Sequence, residues 1–178
     1  FSAGTMTFNM LDTDGIFNPF DTQSPYYDAT TAQPGLAPMR KVRLARYSDI
    51  NVKEYLFVGY IVNYDYNFAL GGIDTVTVYC ADDFYLLAQT YLAEFNVSEQ
   101  LSSARLSAVL DLPEVDFPIG QRAISTGTQT LGGSAPFTVD AGTNTLQYCS
   151  AINLAEQGRL FMARDGDLTF QPRIGNTL

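Results

Sequence analysis

This 178-residue sequence contains no histidine and no tryptophan. Histidine is the usual general base near neutral pH, the usual partner of a Ser or Cys nucleophile and the commonest transition-metal ligand, so its absence excludes most hydrolase and zinc chemistries. Cysteine is scarce, with only Cys80 and Cys149. A single pair so far apart in sequence fits two small buried apolar residues or a disulfide, and spacing alone does not decide between them.

Positive charge is also scarce, because ten Lys and Arg residues stand against nineteen Asp and Glu, which gives a formal net charge of -9. A chain this acidic lacks the basic surface that binding to a nucleic-acid backbone requires, so sequence-independent DNA binding is not expected. No apolar run approaches the roughly 20 residues of a membrane helix, and no signal peptide is recognisable. Since the chain begins at Phe1 rather than Met, we expect a processed product or a fragment of a longer protein.

Apolar residues are abundant, at 46% of the chain, and the aromatic ones are 12 Phe and 11 Tyr. Together with 14 Gly and 8 Pro, this composition favours a folded, β-rich protein. Residues 4–10 alternate as a half-buried strand does, with Met6, Phe8 and Met10 on one face. Residues 15–38 contain four prolines and predict a long loop, which its aromatic residues hold against the domain or a neighbouring subunit.

Three further strand patterns follow before residue 81. They cover residues 41–46, 55–66 and 73–80, with a Gly71-Gly72 turn before the last. Within them Gly59 indicates a bulge or bend, and the even spacing of Tyr60, Tyr64 and Tyr66 places these three on a single face. Because apolar strand edges need partners or closure, residues 1–80 predict an antiparallel β-barrel domain.

The second half, residues 81–178, has an α+β pattern. Helical spacing predicts helices over residues 82–92, 98–111 and 145–157, with Ser98 or Ser102 as the cap of the second. Residues 159–171 predict a hairpin that turns at Asp165 and Gly166. The fold class predicted for the whole chain is therefore β-rich α+β, a barrel followed by a small α+β domain.

Acidic motifs are the candidates for chemistry. The turns at Asp12, Asp14 and Gly15 and at Asp165 and Gly166 resemble fragments of a calcium loop, but both lack the terminal Glu and fit structural turns better. Two acidic pairs, Asp82 with Asp83 and Glu114 with Asp116, fit a helix start and a solvated loop better than a glycosidase pair. Gly132-Gly133-Ser134 lacks the spacing of a phosphate-binding loop. We therefore predict no catalytic, metal or cofactor site.

Interface candidates are of two kinds. The basic residues Arg40, Lys41, Arg43 and Arg46 alternate between the two faces of a strand, which suits ion pairs within this acidic chain or with an acidic neighbour better than a nucleic-acid groove. The aromatic candidates are Phe17, Phe20, Tyr26 and Tyr27 of the long loop together with Tyr60 and Tyr64. The tyrosines also fit a carbohydrate-stacking platform, and barrel packing is a third alternative.

The order of the motifs resembles the minor tail proteins of long-tailed bacteriophages. The resemblance begins with Leu11-Asp-Thr-Asp-Gly15-Ile-Phe-Asn-Pro19, the basic strand that starts at Pro38-Met-Arg-Lys and the strand Leu56-Phe-Val-Gly-Tyr-Ile61. It continues through Val76-Thr-Val-Tyr-Cys-Ala-Asp-Asp-Phe84. It ends with a hairpin of the pattern E-x-G-x-L-F-x-x-x-D-G-x-L-x-F, from Glu156 to Phe170. Only residues 113–144 match loosely.

The resemblance implies a structural virion protein rather than an enzyme. It implies a subunit of the tail-tip or baseplate hub, a ring that is often trimeric, closes the end of the tail tube and surrounds the DNA channel. Distal tail, tape measure and fibre proteins would be its partners, the genome would pass without specific binding, and assembly would occur in the bacterial cytoplasm. The alternatives are a peripheral carbohydrate- or receptor-binding tail domain and a cell-wall-degrading enzyme with a carboxylate pair.

Overall fold

The computed structural model describes residues 2–132 and 137–173, which form two compact units. The first, here called the sheet unit, comprises Gly4–Asp82. The second, the mixed unit, contains the described residues from Asp83 onward together with Ser2 and Ala3. Among the helices of these ranges, none has the length and apolar character needed to cross a bilayer.

Four antiparallel strands build the sheet unit. They are β1 (Thr5–Asp12), β2 (Lys41–Tyr47), β3 (Lys53–Asn67) and β4 (Asp74–Ala81). The order across the sheet is β1-β4-β3-β2, so that β2, β3 and β4 form a meander and β1 is added beside β4. The predicted β-rich α+β fold class is confirmed. In place of a closed barrel the sheet forms a curled half-barrel. Within residues 4–82 its edge strands, β1 and β2, each pair with one neighbouring strand.

Strand β3 is long and is shared between its two neighbours. Its 15 residues extend over roughly 50 Å. Strand β2 pairs with its first half, from Lys53 to Tyr60, and β4 pairs with its second half, from Tyr60 to Asn67. The two flanking strands are therefore staggered along β3, as curvature of a sheet toward a barrel requires.

The core of the sheet unit lies on one face of the sheet. Ile61, Val76, Val78 and Cys80 are almost completely buried there. The alternating residues of β1 point to this face, as predicted, so that Met6, Phe8 and Met10 pack against the cluster. Phe17 and Leu36 of the loop between β1 and β2 pack against it too. The long loop thus covers part of this face of the sheet.

The prediction of a shared face for three tyrosines is wrong. An extra residue in β3, Val62, shifts the pairing with β4 between Ile61 and Asn63 and reverses the alternation of the side chains. As a result Tyr64 and Tyr66 pack against the core, whereas Tyr60 lies opposite exposed Lys41, whose ammonium is 5.5 Å from the ring centre.

Gly59 does not form the predicted bulge. The irregularities lie on either side of it, one between Leu44 and Ala45 in the pairing with β2 and one at Val62. A Cβ at position 59 would instead collide with the backbone carbonyl of Ala81. Glycine is present because two backbones approach closely, which is the other common reason for glycine inside a strand.

The mixed unit combines three helices with short strand pairs. Its helices are α1 (Asp83–Gln89), α2 (Ser102–Leu110) and α3 (Thr145–Glu156). Its strands are β5 (Tyr91–Leu92), β6 (Phe95–Val97), β7 (Gln100–Leu101), β8 (Arg122–Ile124), β9 (Thr130–Leu131), β10 (Phe137–Val139), β11 (Thr143–Asn144), β12 (Arg159–Met162) and β13 (Leu168–Gln171). One further turn, Ile119–Gln121, is a 3-10 helix.

Pairing in the mixed unit connects distant segments. The hairpin of β12 and β13 gains β8 as a parallel third strand, while β5 pairs with β11, β6 with β10 and β7 with β9. The core between these pairs and the helices includes Leu106, Val109, Cys149, Leu168 and Phe170. These residues come from both ends of the unit, so its core requires the whole segment.

The first two helices are shorter than predicted. Helix α1 ends at Gln89 because Tyr91–Leu92 forms a strand, and α2 starts only at Ser102 because residues 95–97 and 100–101 are paired in strands. The predicted serine caps of α2 are also wrong. Leu101 occupies the N-cap position without a side-chain hydrogen bond, and the Ser102 hydroxyl donates instead to Glu156.

Both cysteines are buried free thiols, so the disulfide left open by the sequence is excluded. Burial raises the pKa of the Cys149 thiol to about 12. Burial also raises the pKa of the Cys80 thiol. Each cysteine therefore contributes to the core of its own unit as a small apolar side chain.

Candidate functional site

Exposed apolar side chains are concentrated in the sheet unit. Of nineteen large apolar residues that are exposed in the described ranges, thirteen belong to this unit. They are Leu11, Phe20, Tyr26, Met39, Leu44, Tyr47, Ile50, Val52, Leu56, Phe68, Leu70, Ile73 and Tyr79. Apolar exposure on this scale, on an open sheet with unpaired edges, is typical of a surface that binds another protein.

The aromatic interface candidates of the long loop fall into two groups. Phe17 packs against the core of the sheet unit and stacks on Tyr26, with ring centres 5.1 Å apart. Tyr27 is half-buried. Phe20 and Tyr26 are exposed, and Phe20 stacks on exposed Phe68 with ring centres 6.5 Å apart. Phe20 and Tyr26 are therefore the two loop aromatics available to a partner.

The basic interface candidates lie at the β2 edge of the sheet. Arg40 precedes the strand and is half-buried, whereas Lys41 and Arg43 are exposed on it. Arg46 forms an exposed ion pair with Glu54 at 2.7 Å. Arg43 makes no ion pair within the described residues. The sheet thus presents a positively charged edge in an otherwise acidic chain.

The two tyrosine candidates do not form a stacking platform. Tyr64 is half-buried against the core, and burial raises the pKa of its phenol. Tyr60 is on the other side of the sheet. A sugar ring needs aromatic faces that are accessible together, so this pair gives no support to carbohydrate binding.

The Asp12 turn is fixed by side-chain hydrogen bonds. The Phe17 N–H donates to the Asp12 carboxylate at 3.0 Å, and the Tyr66 hydroxyl lies 2.8 Å from the same oxygen and 3.0 Å from Asp74. Burial raises the pKa of Tyr66 well above its usual range, and the two carboxylates raise it further. Asp14 is exposed, and Gly15 has φ +71°, which favours glycine.

The substitution Tyr66→Phe tests this arrangement. Removal of the hydroxyl deprives the carboxylates of Asp12 and Asp74 of the hydrogen-bond donor that lies between them. The Asp12 carboxylate is buried, so bulk water does not replace that donor. We expect a loss of about 1–3 kcal/mol in unfolding free energy at neutral pH, measured by urea denaturation. The matched control is Tyr47→Phe, at an exposed tyrosine, which we expect to leave stability unchanged. Equal stability of the two variants would contradict the role given to the hydroxyl.

The remaining acidic candidates have structural contacts. Asp82 accepts a hydrogen bond from the Gly4 N–H at 2.8 Å, Asp83 lies in the first turn of α1, and Glu114 accepts from the Ala93 N–H at 2.6 Å. At the other turn, Gly166 has φ +94°. The Asp167 N–H donates to the Asp165 carboxylate at 3.3 Å. Across residues 2–132 and 137–173, no three His, Cys, Asp or Glu side chains are grouped to hold a metal ion.

Glu156 organises an extensive polar cluster in the mixed unit, which we name the Glu156 cluster. This last residue of α3 is only 1% exposed. Its carboxylate accepts hydrogen bonds from the Ser102 hydroxyl at 2.5 Å, from the Thr128 N–H and hydroxyl at 3.0 and 2.6 Å, and from the Gln129 N–H at 2.9 Å. The cluster ties the end of α3 to the start of α2 and to the loop after β8.

The electrostatics of the Glu156 cluster favour the ionised carboxylate. Burial raises the pKa of Glu156, but the donors from Ser102, Thr128 and Gln129 outweigh burial and lower the pKa to about 2. Sequence reasoning missed this role, because the donors are 27 to 54 residues away along the chain. The only signal in the sequence was the position of Glu156 at the start of the hairpin motif.

Structural comparison identifies proteins with a similar fold. A tail protein from Neisseria meningitidis MC58 matches 67% of this chain with a TM-score of 0.51 and 13% identity. The 43 kDa tail protein of prophage MuSo2 from Shewanella oneidensis matches 95% of it, with a TM-score of 0.54 and 14% identity. An Escherichia coli type VI secretion component, described as structurally similar to the T4 tail proteins gp27 and gp5, also matches 95%, with a TM-score of 0.55 and 10% identity.

These matches extend over only part of the known structures. The chain spans 35%, 45% and 42% of the lengths of the three proteins, respectively. No protein-family model and no curated protein sequence matches the chain. At identities this low the likeness concerns the fold, and at that level it confirms the resemblance seen in the sequence: the chain has the fold of phage tail proteins.

Proposed function

We propose that this chain is a structural subunit of a phage tail-tip or baseplate hub, and that three copies form a ring that closes the tail tube around the DNA channel. The observation that carries the proposal is the open half-barrel of the sheet unit, whose β1 and β2 edges each have a free side. An open sheet with exposed apolar residues is an aggregation hazard in a monomer, and closure with further strands removes it.

The direction of the strands supports a closed ring. Neighbouring strands in the order β1-β4-β3-β2 are all antiparallel, so the two edge strands run in opposite directions. When the β2 edge of one copy meets the β1 edge of the next, the pairing is again antiparallel. The same contact can then repeat from copy to copy until the ring closes.

Charge and chemistry support a passive role. A net charge of -9 disfavours adhesion of DNA to the protein, which suits a channel through which the genome passes. Of the acidic pairs, Asp82 and Glu114 accept backbone hydrogen bonds and Asp83 lies at a helix start, and histidine is absent. The ring is expected to bind the neighbouring tail components, namely the distal tail, tape measure and fibre proteins.

Native mass spectrometry of the chain, combined with negative-stain imaging, tests the proposal. We expect a concentration-dependent trimer and ring-shaped particles with a central hole. A chain that stays monomeric at its highest soluble concentration would overturn the ring and would favour a peripheral position on the tail. Imaging of whole tails with a label fused to the chain would then locate it, and a label away from the tip would exclude the hub.

A further inference from the structure

Charge in the sheet unit is divided between two segments. All five cations of the unit lie in residues 40–54, a stretch with two acids, Asp49 and Glu54. The rest of the unit has no Lys or Arg and seven acids, which are Asp12, Asp14, Asp21, Asp28, Asp65, Asp74 and Asp82. The β2 edge is therefore basic, while the end of β1 and the loop that follows it are acidic.

We propose that this division of charge makes the contact between copies heterologous, that is, formed by two different surfaces. In this contact the start of β2 in one copy lies against the end of β1 in the next. The proposal rests on the proposed ring and goes beyond it, because it identifies the two surfaces and their register. The partner is a second copy of this chain, and the basic surface consists of Arg40, Lys41 and Arg43. The acidic surface consists of Asp14 and Asp21.

Antiparallel pairing sets the register. When two antiparallel strands pair over their whole length, the first residue of one lies beside the last residue of the other. Strand β2 has seven residues and starts at Lys41, and β1 has eight residues and ends at Asp12. Full pairing thus brings Lys41 beside the Asp12 turn of the next copy, where Asp14 is exposed.

Charge also disfavours the symmetric alternative. A two-fold contact between two β2 edges would place Arg40, Lys41, Arg43 and Arg46 of both copies on adjacent strands. Arg46 is already paired with Glu54, but Arg43 has no ion pair among the described residues, so its charge would face like charges. Like charges across a contact suppress the wrong partner, and opposite charges select the right one. A heterologous contact is also the kind from which a ring can close.

Charge exchange between the two surfaces tests the proposal. Lys41 and Asp14 are exposed and, in this register, lie two residues apart along the paired strands. The variants Asp14→Lys and Lys41→Glu are expected to fold as the parent does, checked by circular dichroism. We expect each to weaken self-association at least roughly ten-fold, and the double variant to recover most of the loss. Association is measured by sedimentation equilibrium at about 0.05 M salt and again at about 0.5 M salt. At the higher concentration, screening should weaken the self-association of the parent.

The controls separate this inference from the proposed ring. Arg164→Glu and Asp140→Lys make the same charge changes at exposed residues of the mixed unit and should leave association unchanged. If the charge variants at Asp14 and Lys41 behave like these controls while the parent still forms rings, the inference is overturned and the ring stands. If the parent forms a two-fold dimer through β2, seen as amide-exchange protection of residues 41–47 without residues 5–12, the inference is overturned as well. A parent that is always monomeric overturns both.

Discussion

The variant Glu156→Gln is expected to destabilise the mixed unit by about 3 kcal/mol at neutral pH. Its carboxylate accepts hydrogen bonds on both oxygens, and the backbone N–H groups of Thr128 and Gln129 are among the donors. A glutamine amide must direct its NH₂ group toward at least one of these N–H groups, whichever way it is turned. The magnitude follows from the drop in pKa from 4.5 to about 2, at about 1.4 kcal/mol for each unit.

The effect of this substitution should depend on pH in a defined direction. Because folding lowers the pKa of Glu156, the carboxylate contributes its full stability above about pH 4.5 and loses it as the pH falls toward 2. Parent and variant should therefore differ in unfolding free energy at pH 7 and converge near pH 2. Guanidinium denaturation, followed by circular dichroism and by amide exchange of peptides from residues 122–171, measures both values.

Glu94→Gln is the matched control for Glu156→Gln. Glu94 is an exposed glutamate of the same unit, and its substitution makes the same change of net charge. We expect this variant to stay within about 0.5 kcal/mol of the parent, as surface substitutions usually do. If both variants lose the same stability, the contribution of the Glu156 cluster is smaller than its geometry indicates.

The variant Gly59→Ala should destabilise the sheet unit by about 3 kcal/mol or more. The added methyl group would overlap the carbonyl of Ala81 and the ring of Phe57. Backbone atoms in the middle of a sheet cannot move aside as a flexible side chain does, so β3 and β4 must separate locally at Tyr60 and Ala81. The measurement is the urea midpoint, together with amide exchange of residues 74–81, which should become faster.

Gly120→Ala provides the control for the glycine substitution. A Cβ at position 120 would have no neighbouring atom within 4 Å. Its effect should be close to zero, so that the difference between the two variants reports the close approach and not the loss of glycine itself. An unchanged midpoint for Gly59→Ala would show that the two strands are further apart than described.

The sequence predicted elements whose signal is local. Alternation over residues 4–10 identified β1 and its inward residues, because the side chains of a strand with one buried face must alternate. Helix α3 was predicted over residues 145–157 and spans Thr145–Glu156. Its start is capped by the side chain of Asn144, which accepts from the Gln147 N–H, and a cap of this kind is a local signal that can be used in a sequence.

Features that depend on distant segments were not predictable in the same way. The extra residue at Val62 follows from the pairing of β3 with β4, and nothing in the composition of β3 marks it. The short strands β5 and β6 lie where a helix and a loop were expected, because they are stabilised by partners some 40 to 50 residues later in the chain, β11 and β10. The donors to Glu156 are equally remote.

The pairing of β1 with β4 has a consequence for folding. Thr5 is the partner of Ala81, so β1 gains its neighbour β4 only when the whole sheet unit has been synthesised. The meander of β2, β3 and β4 can form from local hairpins, whereas β1 must wait with Met6, Phe8 and Met10 exposed. We expect docking of β1 to be the slow step of folding, and the nascent chain to depend on chaperones during that interval.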